Sequence, residues 1–172
     1  MRRLATALFI VSLAILVLLL PQPKAALKND GLSQGGSLNY GEYGRPATLD
    51  PITSNDMISL RISELIFNGL VGIDEKQEIV PDLAERWDIS DDSLTYTFNL
   101  RRDVIWHAKE GEEPRPFTAD DVIFTYNIMM HPQTITPLKV RYEFIESVVK
   151  VDDYTVRFTL KRPILNGLAK FS

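Results

Sequence analysis

The stretch IVPDLAERWDISDDSLTYTFNLR, residues 79–101, decides the fold of this chain. Its first part, residues 79–87, has the residue order of a short amphipathic turn, and the sequence Asp-Asp-Ser at residues 91–93 is typical of a β-turn. Residues 94–100 then alternate strictly between large apolar side chains and threonine or asparagine. A period of two places the apolar side chains on one face of a half-buried strand. The sequence therefore predicts a sheet built around this strand.

Further strands are predicted on both sides of this central one. Residues 71–73 and 78–80 flank the polar residues 74–77, which indicates two short strands around a polar turn. Residues 147–151 lead through a second acidic turn into the alternating residues 154–160, which indicates a hairpin. The fold class expected from these elements is mixed α/β.

Two helices are predicted from their caps and apolar spacing. Residues 53–56 offer several N-caps to a first helix, and Gly69 is well placed to end it. The expected buried stripe of this helix is Ile58, Ile62, Leu65, Ile66 and Leu70. Residues 118–121 form an acidic variant of the capping box for a second helix, which His131-Pro132 would stop. Its expected buried stripe is Val122, Ile123, Tyr126, Met129 and Met130.

Both ends of the sequence have a distinctive composition. Arg2 and Arg3 precede the uncharged residues 4–20, the arrangement of a secretory signal, so residues 1–26 are interpreted as an export segment. The uncharged run exceeds the roughly 7 to 15 residues of a usual signal core and approaches the ~20 that span a bilayer, so an uncleaved membrane anchor is the alternative. Residues 27–37 are expected to be a flexible leader. Residues 162–172 have the character of a beginning apolar helix, which indicates a fragment of a longer protein.

Composition excludes several classes of function. The chain contains no cysteine, which excludes disulfides, thiolate metal ligands, thiol nucleophiles and a lipid-modified cysteine. Without the three basic residues Arg2, Arg3 and Lys24, the formal net charge changes from −4 to −7. An acidic surface repels phosphate backbones, so nucleic-acid binding is not expected.

Several sequence blocks, taken together, resemble the family 5 solute-binding proteins of peptide ABC transporters. The blocks are residues 47–51, 66–71, 79–87, 91–101, 106–107, 116–122 and 151–158. Three features depart from the family pattern. Arg45 stands where an acid often precedes the proline, Asp92-Ser93 replaces a usual Asp-Gly turn, and the loop between Trp106-His107 and Pro116-Phe117 is long.

The resemblance implies a periplasmic-binding-protein-like II fold, of which residues 38–172 would be the N-terminal part. This part would contain the first strand of one lobe and most of an extra domain. It further implies an exported receptor that captures peptides and delivers them to ABC permease subunits in the membrane. The expected partners are thus a peptide ligand and the permease, and a monomer is expected.

The candidate ligand-binding residues are Tyr43, Gly44, Arg45 and Pro46. Residues 38–43 are predicted to be a short strand that ends at this bend, because proline cannot donate to a sheet ladder. The resemblance puts the end of that strand at the ligand cleft. Arg45 would be costly to bury without an anionic partner, although an ordinary surface salt bridge remains the alternative.

No catalytic constellation, metal site or cofactor is expected. The two histidines, His107 and His131, stand apart, and the aspartate pairs lie in turns or at a helix N-terminus, where local hydrogen bonding explains them. Four aromatic side chains could line a groove, but their alternation favours core packing for most of them: Trp87, Tyr96, Phe98 and Trp106. The functional alternatives are a secreted hydrolase and a membrane-anchored interaction protein that uses residues 4–20 as its anchor.

Overall fold

A four-stranded antiparallel sheet is the largest element of the chain. The computed structural model describes Ser37 and residues 39–172, and one compact unit runs from Glu42 to Ser172. The helices are α1 (Met57–Glu64), α2 (Ala119–Met130), α3 (Leu138–Tyr142) and a final 3-10 helix (Gly167–Phe171). The strands are β1 (Val71–Ile73), β2 (Ile79–Pro81), β3 (Ala84–Ile89), β4 (Thr95–Leu100), β5 (Ile145–Asp152) and β6 (Thr155–Leu160). The mixed α/β composition predicted from the sequence is confirmed.

The sheet has the strand order β3-β4-β6-β5, and each neighbouring pair is antiparallel. Tyr96 of β4 lies opposite Phe158 of β6, and Phe98 lies opposite Val156. All four side chains are buried, because alternate residues of paired strands share one face. The predicted alternation of residues 94–100, the turn before it and the later hairpin are all confirmed.

The small hairpin β1–β2 and the 3-10 helix complete the core of this unit. Val71 pairs with Pro81 at one end of the hairpin. The ring of Phe171, in the 3-10 helix, lies 4.9 Å from that of Phe98 and 4.8 Å from that of Phe158, measured between centroids. Tilted and edge-on aromatic contacts of this kind add to the stabilisation from apolar burial. The predicted pair of short strands around residues 74–78 is confirmed.

Helix α2 packs against β5 and β6, and Thr118 is its N-cap, as the predicted capping box requires. The Asp121 carboxylate accepts a hydrogen bond from the Thr118 amide at 2.9 Å. The same carboxylate accepts two hydrogen bonds from the Arg115 guanidinium, at 2.7 and 3.1 Å. Charge-assisted bonds at a helix N-terminus hold the preceding loop in place. The helix ends at Met130, directly before His131, which confirms the predicted stop.

Two expectations about regular structure are wrong. Residues 39–43 form no strand, because no described strand runs beside them to supply a hydrogen-bonded ladder. The predicted amphipathic turn at residues 79–87 consists instead of β2 and the start of β3, since pairing with β1 and β4 supplies hydrogen bonds that a local pattern does not reveal. The apolar helix expected at residues 162–172 is a short 3-10 helix, Gly167–Phe171.

Helix α1 is also shorter than predicted. It ends at Glu64 with Leu65 as its C-cap, so Gly69 is not its terminator. Leu65 and Ile66, which were expected in its buried stripe, are exposed, and Leu70 joins the core from outside the helix. Asp56 is the N-cap, one of the candidates that the sequence offers.

The predictions for the N-terminal region lie outside the described residues. These are the signal or anchor in residues 1–26 and all of the leader 27–37 except Ser37. Within the described part of the chain, no helix has the length and apolar character that crossing a bilayer requires. The start of the domain at residue 38 stays a prediction.

Candidate ligand-binding segment

The candidate residues lie in an irregular segment that is held on helix α1. We call residues 43–46 the binding segment. Immediately after it, the backbone amides of Ala47 and Thr48 donate hydrogen bonds to the hydroxyl oxygen of Ser59, at 3.0 and 3.3 Å. Ser59 lies in α1 and is 0% exposed. The side chain of a helix residue therefore takes the place of a neighbouring strand as the partner of this backbone.

The N-cap of α1 supports the same contact. Asp56 Oδ1 accepts hydrogen bonds from the amides of Ile58 and Ser59, at 3.1 and 2.9 Å. The pKa of the Asp56 carboxyl is lowered from 3.8, chiefly by the neighbouring Ser59 side chain and further by backbone amides, including that of Ser59. The carboxylate is thus ionised at neutral pH, and it positions Ser59 in the first turn of α1.

A second contact lies on the other side of the binding segment. The guanidinium of Arg61, which lies two residues after Ser59 in α1, is 3.2 Å from a carboxylate oxygen of Glu42. Gly44 lies against the same helix, because a Cβ atom placed there would be 2.7 Å from the terminal methyl of Ile58. The backbone of the binding segment is consequently flanked by contacts to α1 at Glu42 and at residues 47–48.

The side chains of the binding segment project away from these contacts. Tyr43 is fully exposed, with a relative accessible surface of 109%, and Arg45 is also exposed, whereas Pro46 is half-buried. Among the described residues, no carboxylate forms an ion pair with Arg45. The segment thus presents an aromatic ring and a guanidinium to solvent on a fixed backbone. Such groups can stack on, and bind the anionic groups of, a small ligand.

Residues 48–54 extend this support toward α2. The Asp50 carboxylate accepts hydrogen bonds from the Ile52 amide and the Thr53 hydroxyl, both at 2.9 Å. Thr136, in the connection between α2 and α3, donates its hydroxyl proton to the Ile52 carbonyl. Side-chain bonds of this local kind stabilise loops that lack ladder bonds.

Helix α1 packs only partly as the amphipathic pattern of its sequence predicts, because Ile58 and Ile62 are half-buried. Its buried side chains are Ser59 and Ser63, whereas several large apolar side chains in and after it are exposed. These exposed side chains are Met57, Leu60, Leu65, Ile66 and Phe67. The signal that sequence reasoning missed is the pair of serines four residues apart, which marks one helical face. Several large apolar side chains exposed within one short stretch of sequence are typical of surfaces that contact another body.

The other predicted groups lie away from the binding segment. Tyr96 and Phe98 belong to the core and Trp87 is half-buried, as core packing predicts, but Trp106 is 43% exposed and its ring lies under the Arg115 guanidinium. An open groove of about 440 Å³ is lined by Pro81, Glu85, Arg101, Arg102 and Asp103 rather than by residues 43–46. Across the part of the chain that the structure describes, no three His, Cys, Asp or Glu residues are grouped to hold a metal ion.

Comparison with known proteins identifies the family. The model of the bacterial extracellular solute-binding proteins, family 5 Middle, matches residues 78–172. The di/tripeptide-binding protein 1 of Pseudomonas aeruginosa strain UCBPP-PA14 is 36% identical over 140 residues, which cover 72% of this chain and 26% of that protein. The dipeptide-binding protein of Escherichia coli strain K12 is 34% identical over 147 residues, which cover 76% of this chain and 27% of that protein.

Solved structures agree with this assignment. The ABC transporter-associated periplasmic binding protein DppA of Helicobacter pylori, in complex with the peptide STSA, superposes with a TM-score of 0.66 at 33% identity, over 73% of this chain and 27% of that one. NikZ of Campylobacter jejuni, in complex with Ni(L-His), gives 0.64 at 35% identity, over 75% and 25%. These likenesses confirm the predicted periplasmic-binding-protein type of fold. The chain spans about a quarter of the length of the relatives that it matches, and it belongs to the family 5 bacterial extracellular solute-binding proteins.

Proposed function

We propose that this chain is the N-terminal part of a receptor that captures peptides outside the cytoplasm and delivers them to the permease of an ABC importer. The observation that carries the proposal is its kinship with relatives whose names state di- and tripeptide binding. The receptor acts as a monomer in the periplasm or an equivalent extracytoplasmic space. It requires no cofactor and releases its ligand unchanged.

The binding segment is proposed to contact the ligand directly. Tyr43 supplies an aromatic surface and Arg45 a cation without a carboxylate partner among the described residues. Closure of a cleft around a bound peptide would remove water from Arg45, and a desolvated cation requires an anionic partner. We therefore assign Arg45 to an anionic group of the ligand, such as the terminal carboxylate of a short peptide.

The test is calorimetric titration of the complete receptor with a panel of dipeptides and tripeptides. Wild type should bind at least one peptide reversibly. Arg45→Glu should weaken that binding by about tenfold or more, which corresponds to about 1.4 kcal/mol. The matched control is Arg162→Glu, which makes the same charge change at an exposed arginine outside the segment. Equal affinities of the two variants would show that Arg45 does not contact the ligand.

The same samples distinguish a peptide receptor from the alternative, a secreted hydrolase. After prolonged incubation, mass spectrometry of the peptides should find every bound peptide intact. Peptide cleavage with turnover, and no saturable binding, would reject the receptor. N-terminal sequencing of the exported protein distinguishes a released receptor, which should begin near Leu27, from an anchored protein that retains Met1.

A further inference from the structure

We propose that Ser59 is a positioning residue for ligand binding: its hydroxyl holds the backbone after residue 46 in the form in which the binding segment meets its ligand. The proposal rests on the function proposed above and names the device that prepares that site. Ser59 itself does not contact the ligand. It acts through the amides of Ala47 and Thr48.

The hydrogen-bonding capacity of the Ser59 hydroxyl is matched to this role. A serine hydroxyl has two acceptor positions and one proton. The amides of Ala47 and Thr48 occupy both acceptor positions. Because Ser59 is 0% exposed, water cannot replace either amide without opening the contact between the segment and α1.

The position of these bonds in the chain makes them important for the segment. Residues 39–48 contain no helix or strand, so no ladder of backbone bonds orders them. Ser59 is 11 and 12 residues away from the two amides that it binds, so the contact closes a loop onto a regular helix. Together with the Arg61–Glu42 pair, it flanks the two exposed side chains, Tyr43 and Arg45.

Without the hydrogen bonds to Ser59, the binding segment would become ordered only when the ligand binds. A receptor whose binding-competent form is only partly populated has an apparent Kd that is raised by the inverse of that population. Ordering of loops on association weakens binding for the same reason. The contact to Ser59 should therefore appear in ligand affinity as well as in stability.

The chain offers a matched control within the same helix. Ser63 lies four residues after Ser59, is also buried at 6% exposure, and has a hydroxyl without a hydrogen-bond partner among the described residues. Ser59→Ala and Ser63→Ala remove the same atom from the same helical face. Only the first removes the acceptor of Ala47 and Thr48.

The experiment compares both variants in the complete receptor, using the dipeptide that wild type binds best. Ser59→Ala should raise Kd by about tenfold and speed the hydrogen exchange of the Ala47 and Thr48 amides. Ser63→Ala should leave Kd within about twofold and both exchange rates unchanged. Unchanged exchange in Ser59→Ala, or faster exchange with an unchanged Kd, would overturn the proposal.

A second variant decides the matter if Ser59→Ala does not fold. Asp56→Asn keeps a good N-cap for α1 but removes the charge of the carboxylate whose Oδ1 accepts a hydrogen bond from the Ser59 amide and so positions Ser59. It should raise Kd by a few fold and speed exchange at Ala47 and Thr48, and wild-type values of both would overturn the proposal. If wild type binds no peptide, the proposed function is refuted. If wild type binds a peptide and Ser59→Ala binds it with an unchanged Kd, only the role of Ser59 is refuted.

Discussion

The backbone amide of Leu70 donates a hydrogen bond to the carbonyl of Phe171, with 2.9 Å between the nitrogen and the oxygen. This bond joins the start of the β1–β2 hairpin to the 3-10 helix at the far end of the sequence. It also holds the Phe171 ring over Phe98 and Phe158 in the core. The 3-10 helix thereby contacts both the small hairpin and the main sheet.

Gly69→Ala should destabilise this junction. A Cβ atom at Gly69 would lie 2.8 Å from the Ser172 carbonyl carbon and 2.9 Å from the carbonyl oxygens of Val71 and Phe171. Backbone atoms cannot rotate away, so we expect a loss of about 1–3 kcal/mol in the free energy of unfolding. Urea denaturation of the complete protein measures it, with Gly41→Ala as the control, since a Cβ there meets no described atom within 4 Å. Equal midpoints for the two variants would contradict this account of the junction.

Ser93→Gly should stabilise the turn before β4. Ser93 has φ of 57°, in the left-handed region where a Cβ atom is disfavoured by about 1–2 kcal/mol. Glycine removes that strain but adds entropy to the unfolded chain, so we expect a net gain of about 0.5–1 kcal/mol. The measurement is the shift of the urea midpoint. Asp91→Gly, in the same turn but without a positive φ, should not stabilise, and a stabilising Asp91→Gly would attribute the gain to something other than backbone strain.

Stability should fall at acid pH partly through Asp121. Burial of its carboxyl raises its pKa, but hydrogen bonds from Arg115, the Thr118 amide and Trp106 outweigh burial, so the folded-state pKa lies below 3.8. A lowered pKa contributes stability that is complete above the unfolded value and disappears as the pH falls through the folded value. Asp121→Asn should therefore lower stability at neutral pH and flatten the decline of stability below about pH 4. An unchanged slope would contradict the assignment.

Residues 27–172 expressed alone should be poorly stable. The sequence suggests this through strands that would be left with open edges, and the structure adds the exposed apolar side chains around α1, such as Met57 and Phe67. We expect a broad thermal transition and binding of an apolar dye, measured by circular dichroism and fluorescence. A sharp cooperative melt without dye binding would show that the unit is self-sufficient.

Much of the fold could be predicted because its signals are local. The acidic turn and the alternation of residues 94–100 determine β4, and the capping residues 118–121 with His131-Pro132 determine both ends of α2. A turn, a cap or an alternating pattern depends on side chains within a few residues of one another. The likeness to the solute-binding family likewise rests on such blocks.

The candidate site depended on contacts that no local pattern contains. The sequence placed Tyr43 and Arg45 at the end of a strand, but in the structure the Ser59 hydroxyl binds the following backbone instead. In α1 the two serines are buried, whereas Ile58 and Ile62 of the predicted stripe are only half-buried. By itself, the sequence determined the caps, the turns, the central strand and the family. Only the tertiary structure decided that the serine face of α1 is buried. The backbone amides of Ala47 and Thr48, more than ten residues away, find their hydrogen-bond acceptor on that face.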